Sequence, residues 1–200
     1  MKPFLAIFAL VLLTSCSDTP PPQKKAPQPP AEPVTGRQGF QYMYGSARLW
    51  AADAQPLTVR SAHFQGSKAE PGKAEAWEVI FVADSLGRAR TYTWCNEERE
   101  ADGFHKGVFP GQQQSWSAGE QKPFSPAEIK VDTTEALATA TKASEDFLKK
   151  PGIKPPVNFL LERAVQFPNP VWRVMWGNTV SSAEYVVTVD ATTGELKGKN

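Results

Sequence analysis

The stretch from Val171 to Gly194, VWRVMWGNTVSSAEYVVTVDATTG, decides how the rest of the chain is read. Trp172, Val174 and Trp176 alternate with Val171, Arg173 and Met175, and beyond Gly177-Asn178 the run Tyr185, Val187, Val189 alternates again. A period of two on both sides of a break marks a pair of strands. The run closes on Asp190-Ala191-Thr192-Thr193-Gly194, where Asp and Thr side chains can bond nearby amides and Gly accepts a positive φ, as a turn requires. By alternation the two tryptophans and Val174 share a face with Tyr185, Val187 and Val189. That is the core side of a sheet covered by a helix, so Trp172 is expected to be core and not a ligand contact.

Upstream, Ala76 to Cys95, AWEVIFVADSLGRARTYTWC, lies over Val171 to Asp190 without a gap, at the offset that carries Trp77 onto Trp172. Val79 then falls on Val174, Phe81 on Trp176 and Thr93 on Thr188. Identities are few, but the alternation and the place of the turn agree, which predicts a duplicated unit with Trp77 in core. Ahead of the second hairpin, Asp132 and Glu135 form a capping-box pattern. Leu137, Ala140, Ala143 or Ser144, and Phe147 follow at helical spacing, Lys149-Lys150-Pro151-Gly152 stops the helix, and Val157 to Val165 reads as a strand. In the first unit a short helix is expected over Ala47 to Ala54 and a strand over Thr58 to Phe64. Asn96 to Gly103 is charged, and Phe104 to Trp116 reads as an irregular loop broken by Gly107, Pro110 and Gly111. The fold expected is α+β, two repeated helix-on-antiparallel-sheet units over residues 39–125 and 126–200. The faces away from the helices carry Ile80, Val82, Met175 and Val186, more apolar than a solvated face needs, so the two halves are expected to pack together there.

Helix, strand, a W-x-V strand and a hairpin ending in Val189-Asp190-Ala191-Thr192-Thr193-Gly194-Glu195 resemble a PepSY-type domain, of PepSY/cystatin-like architecture. The resemblance covers residues 133–198, and 45–95 only through the echo. There Cys95-Asn96-Glu97 stands where Asp190-Ala191-Thr192 does, so the first unit departs from the pattern at its decisive turn. The resemblance carries no catalytic site. It implies an extracytoplasmic module that regulates peptidases or contacts other proteins.

At the other end, Met1-Lys2-Pro3 precedes an apolar run from Phe4 to Leu13, too short to cross a bilayer, which needs about 20 residues. It suits a signal peptide over residues 1–15. Leu13-Thr14-Ser15-Cys16 resembles a bacterial lipobox, which implies acylation of Cys16 as the new N-terminus. A multiply acylated cysteine holds firmly where a single chain is marginal, so the membrane is an expected partner through this lipid. Ser17 in place of Asp resembles an outer-membrane address, facing the periplasm, in a Gram-negative host. Residues 16–38 are proline-rich and nearly free of large apolar side chains, the composition of an extended tether.

The net charge of +1 and the absence of a basic stripe argue against a nucleic-acid partner. The body carries one cysteine, Cys95, and two histidines, His63 and His105, without the spacing of a nucleophile and base or of a metal ligand set. No phosphate-cradling glycine loop, G-x-S-x-G or H-E-x-x-H occurs. The sequence therefore predicts no cofactor and no metal, and a non-catalytic, lipid-anchored envelope protein that binds a protein or peptide or regulates a peptidase. The alternative is an extracytoplasmic enzyme or enzyme accessory that uses an acid pair or Cys95. Sheet edges accept extended peptides and long loops are often functional, so a partner is expected to touch Phe104, Phe109 or Trp116.

Overall fold

Two capping boxes start the two long helices. Thr35 and Gln38 exchange side-chain-to-backbone bonds at the head of α1 (Gly36–Trp50), and Asp132 and Glu135 do the same at the head of α2 (Thr133–Ala143). After α2 the chain breaks at Ser144, whose hydroxyl donates to the Ala140 carbonyl at 2.7 Å, and resumes as α3 (Glu145–Lys149). The computed structural model describes residues 32–66, 70–119, 121–152 and 155–200. The segment read as signal peptide, Cys16, and the segment read as tether as far as residue 31 lie outside the described residues.

The first helix corrects two expectations. It runs over Gly36–Trp50 and not over 47–54, and it begins inside the segment read as tether, where Val34–Thr35 already forms a short strand, β1. Its three glycines, Gly36, Gly39 and Gly45, depress intrinsic helix propensity. Packing explains two of them: a Cβ on Gly39 would lie 2.5 Å from the Trp77 ring, and one on Gly36 would lie 2.7 Å from Trp172. Backbone approach to the tryptophans outweighs propensity here.

β1 pairs with β3 (Lys73–Ala74) as a two-residue ribbon. The other strands form one antiparallel sheet of eight. They are β2 (Gln55–Ala62), β4 (Ala76–Ala83), β5 (Arg88–Cys95), β6 (Gly107–Ser115), β7 (Val157–Glu162), β8 (Val171–Trp176), β9 (Tyr185–Asp190) and β10 (Leu196–Lys199). Their order is β10-β9-β8-β7-β2-β4-β5-β6. The pairing of β4 with β5 sets Trp77 opposite Trp94 and Val79 opposite Tyr92; that of β8 with β9 sets Trp172 opposite Val189 and Val174 opposite Val187. These registers correspond under the offset that carries Trp77 onto Trp172. The halves meet at β2 and β7, where Arg60 faces Leu160. Arg60 also faces Glu78, and Leu160 faces Arg173. The same offset exchanges Glu78 for Arg173, so a local two-fold axis passes through the Arg60–Leu160 pair.

Both helices cover the same side of this sheet. Phe40, Met43 and Ala47 of α1 pack on Trp77, Val79 and Phe81, while Ala136, Ala140 and Phe147 pack on Trp172, Val174 and Trp176. Trp77 and Trp172 are fully buried and meet edge to face, their ring centroids 6.5 Å apart. The expected core face is therefore observed.

The expected face-to-face packing of the two halves is not. They join edge to edge, because main-chain bonds between β2 and β7 extend the sheet and satisfy both inner edges. Val82, Met175 and Val186 are nevertheless buried, and stand outside the helix-side core. The same face carries the Arg60–Glu78 and Arg173–Glu162 ion pairs, at 2.8 and 2.5 Å.

Phe104 to Trp116 is likewise corrected, since nine of its residues form β6. The strand lies at the sheet's margin with its side chains largely in solvent, so it has no buried face to impose alternation. Pro110 and Gly111 sit at a register shift opposite Arg90 to Tyr92, the edge-and-bulge setting in which a strand tolerates them.

Candidate functional site

The sheet order brings the N-termini of α1 and α2 together on the dyad, and Asp132 serves both. Its Oδ1 accepts from the amides of Thr133 at 2.7 Å and Arg37 at 2.9 Å, and its Oδ2 accepts from the Thr35 hydroxyl at 2.6 Å. A carboxylate at two helix N-termini offsets two sets of exposed amides and both positive dipole ends. Thr133 completes the junction, its hydroxyl accepting from the Gly36 amide at 2.9 Å and donating to the Gly72 carbonyl at 2.5 Å. Each buried tryptophan reaches the same point. Trp77 Nε1 donates to the Val34 carbonyl at 3.0 Å and Trp172 Nε1 to the Val131 carbonyl at 2.9 Å, one residue ahead of each cap.

Beside this junction, against α1, opens a polar cleft of about 880 Å³. Among the described residues its walls include Pro33, Val34, Gln38, Gln41, Tyr42 and Trp94, with Glu32, Arg37, Lys73 and Asp132 supplying charge of both signs. Tyr42 is half-exposed and lies over buried Trp94, ring centroids 5.4 Å apart. This volume lies in the range of ligand sites, roughly 300–1,000 Å³. Sequence reasoning missed the cleft because it missed α1; the signal available was Thr35-x-x-Gln38, a capping-box pattern at the end of the proline-rich stretch.

A smaller, mostly apolar cavity of about 360 Å³ lies between α2, α3 and β7, with Leu137, Leu148, Val157, Phe159 and Trp176 in its walls. His63 borders it. Burial pushes the imidazole below its usual value despite a hydrogen bond with the Val157 backbone, and Nε2 is buried without a partner. A neutral ring beside apolar walls is equipped for packing more than for proton transfer.

The three aromatic residues expected to contact a partner are strung along the β6 edge and not gathered. Phe104 packs edge-on against Phe64, at 5.3 Å. Phe109 is 48% exposed and rests on His105, at 4.6 Å. Trp116 is half-buried beyond the other end of the strand, where its amide donates to the Gly87 carbonyl at 3.0 Å. Seven residues of extended chain set Phe109 and Trp116 about 23 Å apart. The two outer edges of the sheet differ: β10 is four residues long, bulged and carries Lys197 and Lys199, whereas β6 is nine residues long and carries no charge, its own bulge and proline falling at Pro110 and Gly111 and leaving Gln113 to Ser115 in regular register. Lysine and bulges discourage strand addition. β6 is the more receptive edge.

Cys95 is buried, and desolvation pushes its thiol up, the opposite of an activated nucleophile. Its Sγ lies 4.0 Å from the Asn96 side chain. At the corresponding place in the second half, Asp190 organises a turn. Burial pushes its carboxyl up, but the amides of Thr192 and Thr193, at 2.8 and 2.9 Å, Asn169 and Lys197 together hold it below its ordinary value. Among the described residues no group of His, Cys, Asp or Glu is arranged to hold a metal ion, and no helix is long and apolar enough to cross a membrane.

No family model matches the chain, and no curated protein matches it. One solved structure is similar in fold. It is a crystal structure of a Clostridium difficile 630 protein described provisionally as a lipoprotein, with a TM-score of 0.55 at 11% sequence identity, covering 87% of this chain and 95% of that one. At this identity the likeness concerns the arrangement of helices and sheet. It extends across both halves of the eight-stranded sheet, since a single half could not account for that coverage.

Proposed function

We propose that this protein is a lipid-anchored, non-catalytic module of the bacterial cell envelope that binds another polypeptide, built by tandem duplication of a PepSY-like unit. The observation that carries the binding role is β6, a nine-residue uncharged strand bonded on one side only. An extended segment of a partner can add there through main-chain bonds, with Phe109 and Trp116 flanking the contact and Phe104 beside it. Pro110 withholds one amide, so Gln112 to Ser115 is the stretch best able to pair.

Several features support the remaining parts of the reading. The Leu13-Thr14-Ser15-Cys16 pattern favours acylation at Cys16, and the structural neighbour's provisional description is of the same kind. Ser17 favours an outer-membrane position facing the periplasm in a Gram-negative host. Matching caps, matching tryptophan-to-backbone bonds and matching registers favour duplication. Regulation of a peptidase is the form of polypeptide binding that the PepSY resemblance suggests. A buried, raised thiol at Cys95 gives the enzymatic alternative little footing.

The test is photo-crosslinking in intact envelopes from a photoreactive residue at Gln112 or Gln114, compared with the same label on β10 at Lys197. Polypeptide adducts from β6, lost when Gln113 is replaced by proline, are expected. Adducts of equal yield from β10, or adducts with lipid or glycan alone, would overturn the reading.

A further inference from the structure

We propose that the cleft beside α1 is a second binding site, which accepts a short, neutral peptide turn of small residues from a partner protein. It lies apart from the β6 edge and shares with the function proposed above only the class of partner.

The argument rests on what fills the same place in the other half. Thr35 corresponds to Asp132 as the helix cap, and Val34 to Val131 as acceptor of the tryptophan N–H. Continuing that correspondence, Pro33 matches Lys130 and Tyr42 matches Thr139. In the second half these residues hold the turn that follows β9. The amides of Lys130 and Val131 both donate to the Ala191 carbonyl at 2.9 Å, and the Thr139 hydroxyl donates to the Gly194 carbonyl at 3.3 Å. In the first half the matching residues Pro33, Val34 and Tyr42 line the cleft; Pro33 has no amide to match that of Lys130, which leaves Val34 and the Tyr42 hydroxyl as the corresponding donors.

The two halves part company at one residue. Through Asn96 the first follows the second, its amide donating to the Glu75 carbonyl as the Ala191 amide donates to the Pro170 carbonyl, both at 2.9 Å. Cys95, however, stands in the place of Asp190, and its thiol is a weaker acceptor than a carboxylate; it takes backbone bonds from Glu97 and Asn96, where Asp190 takes those of Thr192 and Thr193 that close the turn. The chain instead leaves through the segment in which Arg99 pairs with Phe104. The strand leading into α1 pairs with β3, Val34 facing Ala74, where the matching Lys130 and Val131 bond to Ala191. Between that strand and Trp94 lies the cleft.

Its occupant can be described from the filled copy. Ala191-Thr192-Thr193-Gly194 is held chiefly through backbone carbonyls and small side chains, and Gly194 has a φ of +78°. The cleft offers Gln38, Gln41 and the Tyr42 ring, while Arg37 and Lys73 are balanced by Glu32 and Asp132. Balanced walls select against a strongly charged ligand.

The probe is the chain's own turn as a free peptide, Ala191 to Gly194 (ATTG) with uncharged ends, immobilised through a neutral linker and presented with full-length protein in detergent. Saturable binding is expected, weakened about tenfold or more by Gln41→Trp or Tyr42→Arg, both at exposed cleft positions, and changed by less than about twofold by Gln113→Pro on β6. Replacing the peptide's glycine with valine should weaken binding to a similar degree, because the turn needs a positive φ. Melting temperatures of the variants identify any that fail to fold, and the two cleft substitutions serve as independent checks. Absence of saturation at millimolar peptide, equal binding of a scrambled peptide, or indifference to both cleft substitutions overturns the proposal. Loss of binding in Gln113→Pro alone would place the peptide on the edge strand, which sinks the cleft site and leaves the edge reading standing.

Discussion

The two halves of this molecule share a helix on a four-stranded antiparallel sheet and differ in how the helix is tied to the sheet's end. In the second half a carboxylate, Asp190, folds the chain back into a turn that fills the gap beside α2 and continues into β10. In the first half a thiol, Cys95, occupies that place, the chain departs, and a cleft remains beside α1. Common elements hold the fold, and the departures are where surface becomes available. Two halves of similar plan can thus differ, one closed by its own turn and the other open at its surface.

The strongest test of the shared plan is the pair of central tryptophans. Trp77→Ala and Trp172→Ala should each cost about 3–5 kcal/mol, since both rings are fully buried and each loss also leaves a carbonyl ahead of a helix cap without its donor. Chemical denaturation of the two variants should give similar losses. A difference of more than about 2 kcal/mol would break the equivalence at its centre.

A smaller effect sharpens it. Gly39 and Ala136 occupy matching positions on their helices, yet a Cβ on Gly39 would meet the Trp77 ring at 2.5 Å. Gly39→Ala should therefore destabilise by about 1–3 kcal/mol through overpacking, although alanine normally favours a helix over glycine by about 1 kcal/mol. A stabilising outcome in a melting experiment would mean that Trp77 is free to move and that α1 sits less tightly than α2.

How far the sequence reveals this arrangement depends on where each signal is written. Asp132-x-x-Glu135 and the alternation of Trp172, Val174 and Trp176 are local and strong, and the second half is read almost element for element, apart from β10. The first helix is concealed because Gly36, Gly39 and Gly45 look like breakers; only the tertiary contact with two tryptophans explains two of them. β6 is concealed because a strand exposed along most of its length has no reason to alternate. The joining of β2 to β7 has no local signature at all, since Arg60 and Leu160 find each other across a hundred residues of chain. The cleft follows from these concealed elements, of which the Thr35-x-x-Gln38 cap of α1 alone leaves a local mark in the sequence.

The turn at Asp190 gives a pH-dependent test of the difference between the halves. A carboxyl held low by the fold contributes fully above the unfolded pKa of about 3.9, and its contribution is lost as the pH falls through the lower folded value. Asp190 is such a group. Asp190→Asn should lower the melting temperature near neutral pH, and the gap from the parent protein should narrow as the pH falls from about 5 toward 2. Cys95→Asp, the reciprocal change, should bring no matching gain, because the segment after it already runs elsewhere. A gap that stays constant with pH would mean that the Asp190 charge does not hold the turn.

The smallest expected change in stability belongs to the β6 edge, and there the comparison is with function. Phe109 is 48% exposed, and its ring contact with His105 lies outside the core, so Phe109→Ser should alter stability by no more than about 0.5 kcal/mol. Trp116 is half-buried at the strand's far end, and Trp116→Ser should cost somewhat more. Phe104, packed on Phe64, should cost the most of the three. If the edge is the working surface, crosslinking from Gln112 should fall sharply in the Phe109 and Trp116 variants while denaturation midpoints hardly move. A hydrophobic ring left in water on an uncharged edge loses little when removed, but a partner strand laid beside it loses a contact that it buried. A large drop in midpoint with unchanged crosslinking would reverse the assignment, making these aromatics part of the fold's support and leaving the cleft as the surface to pursue.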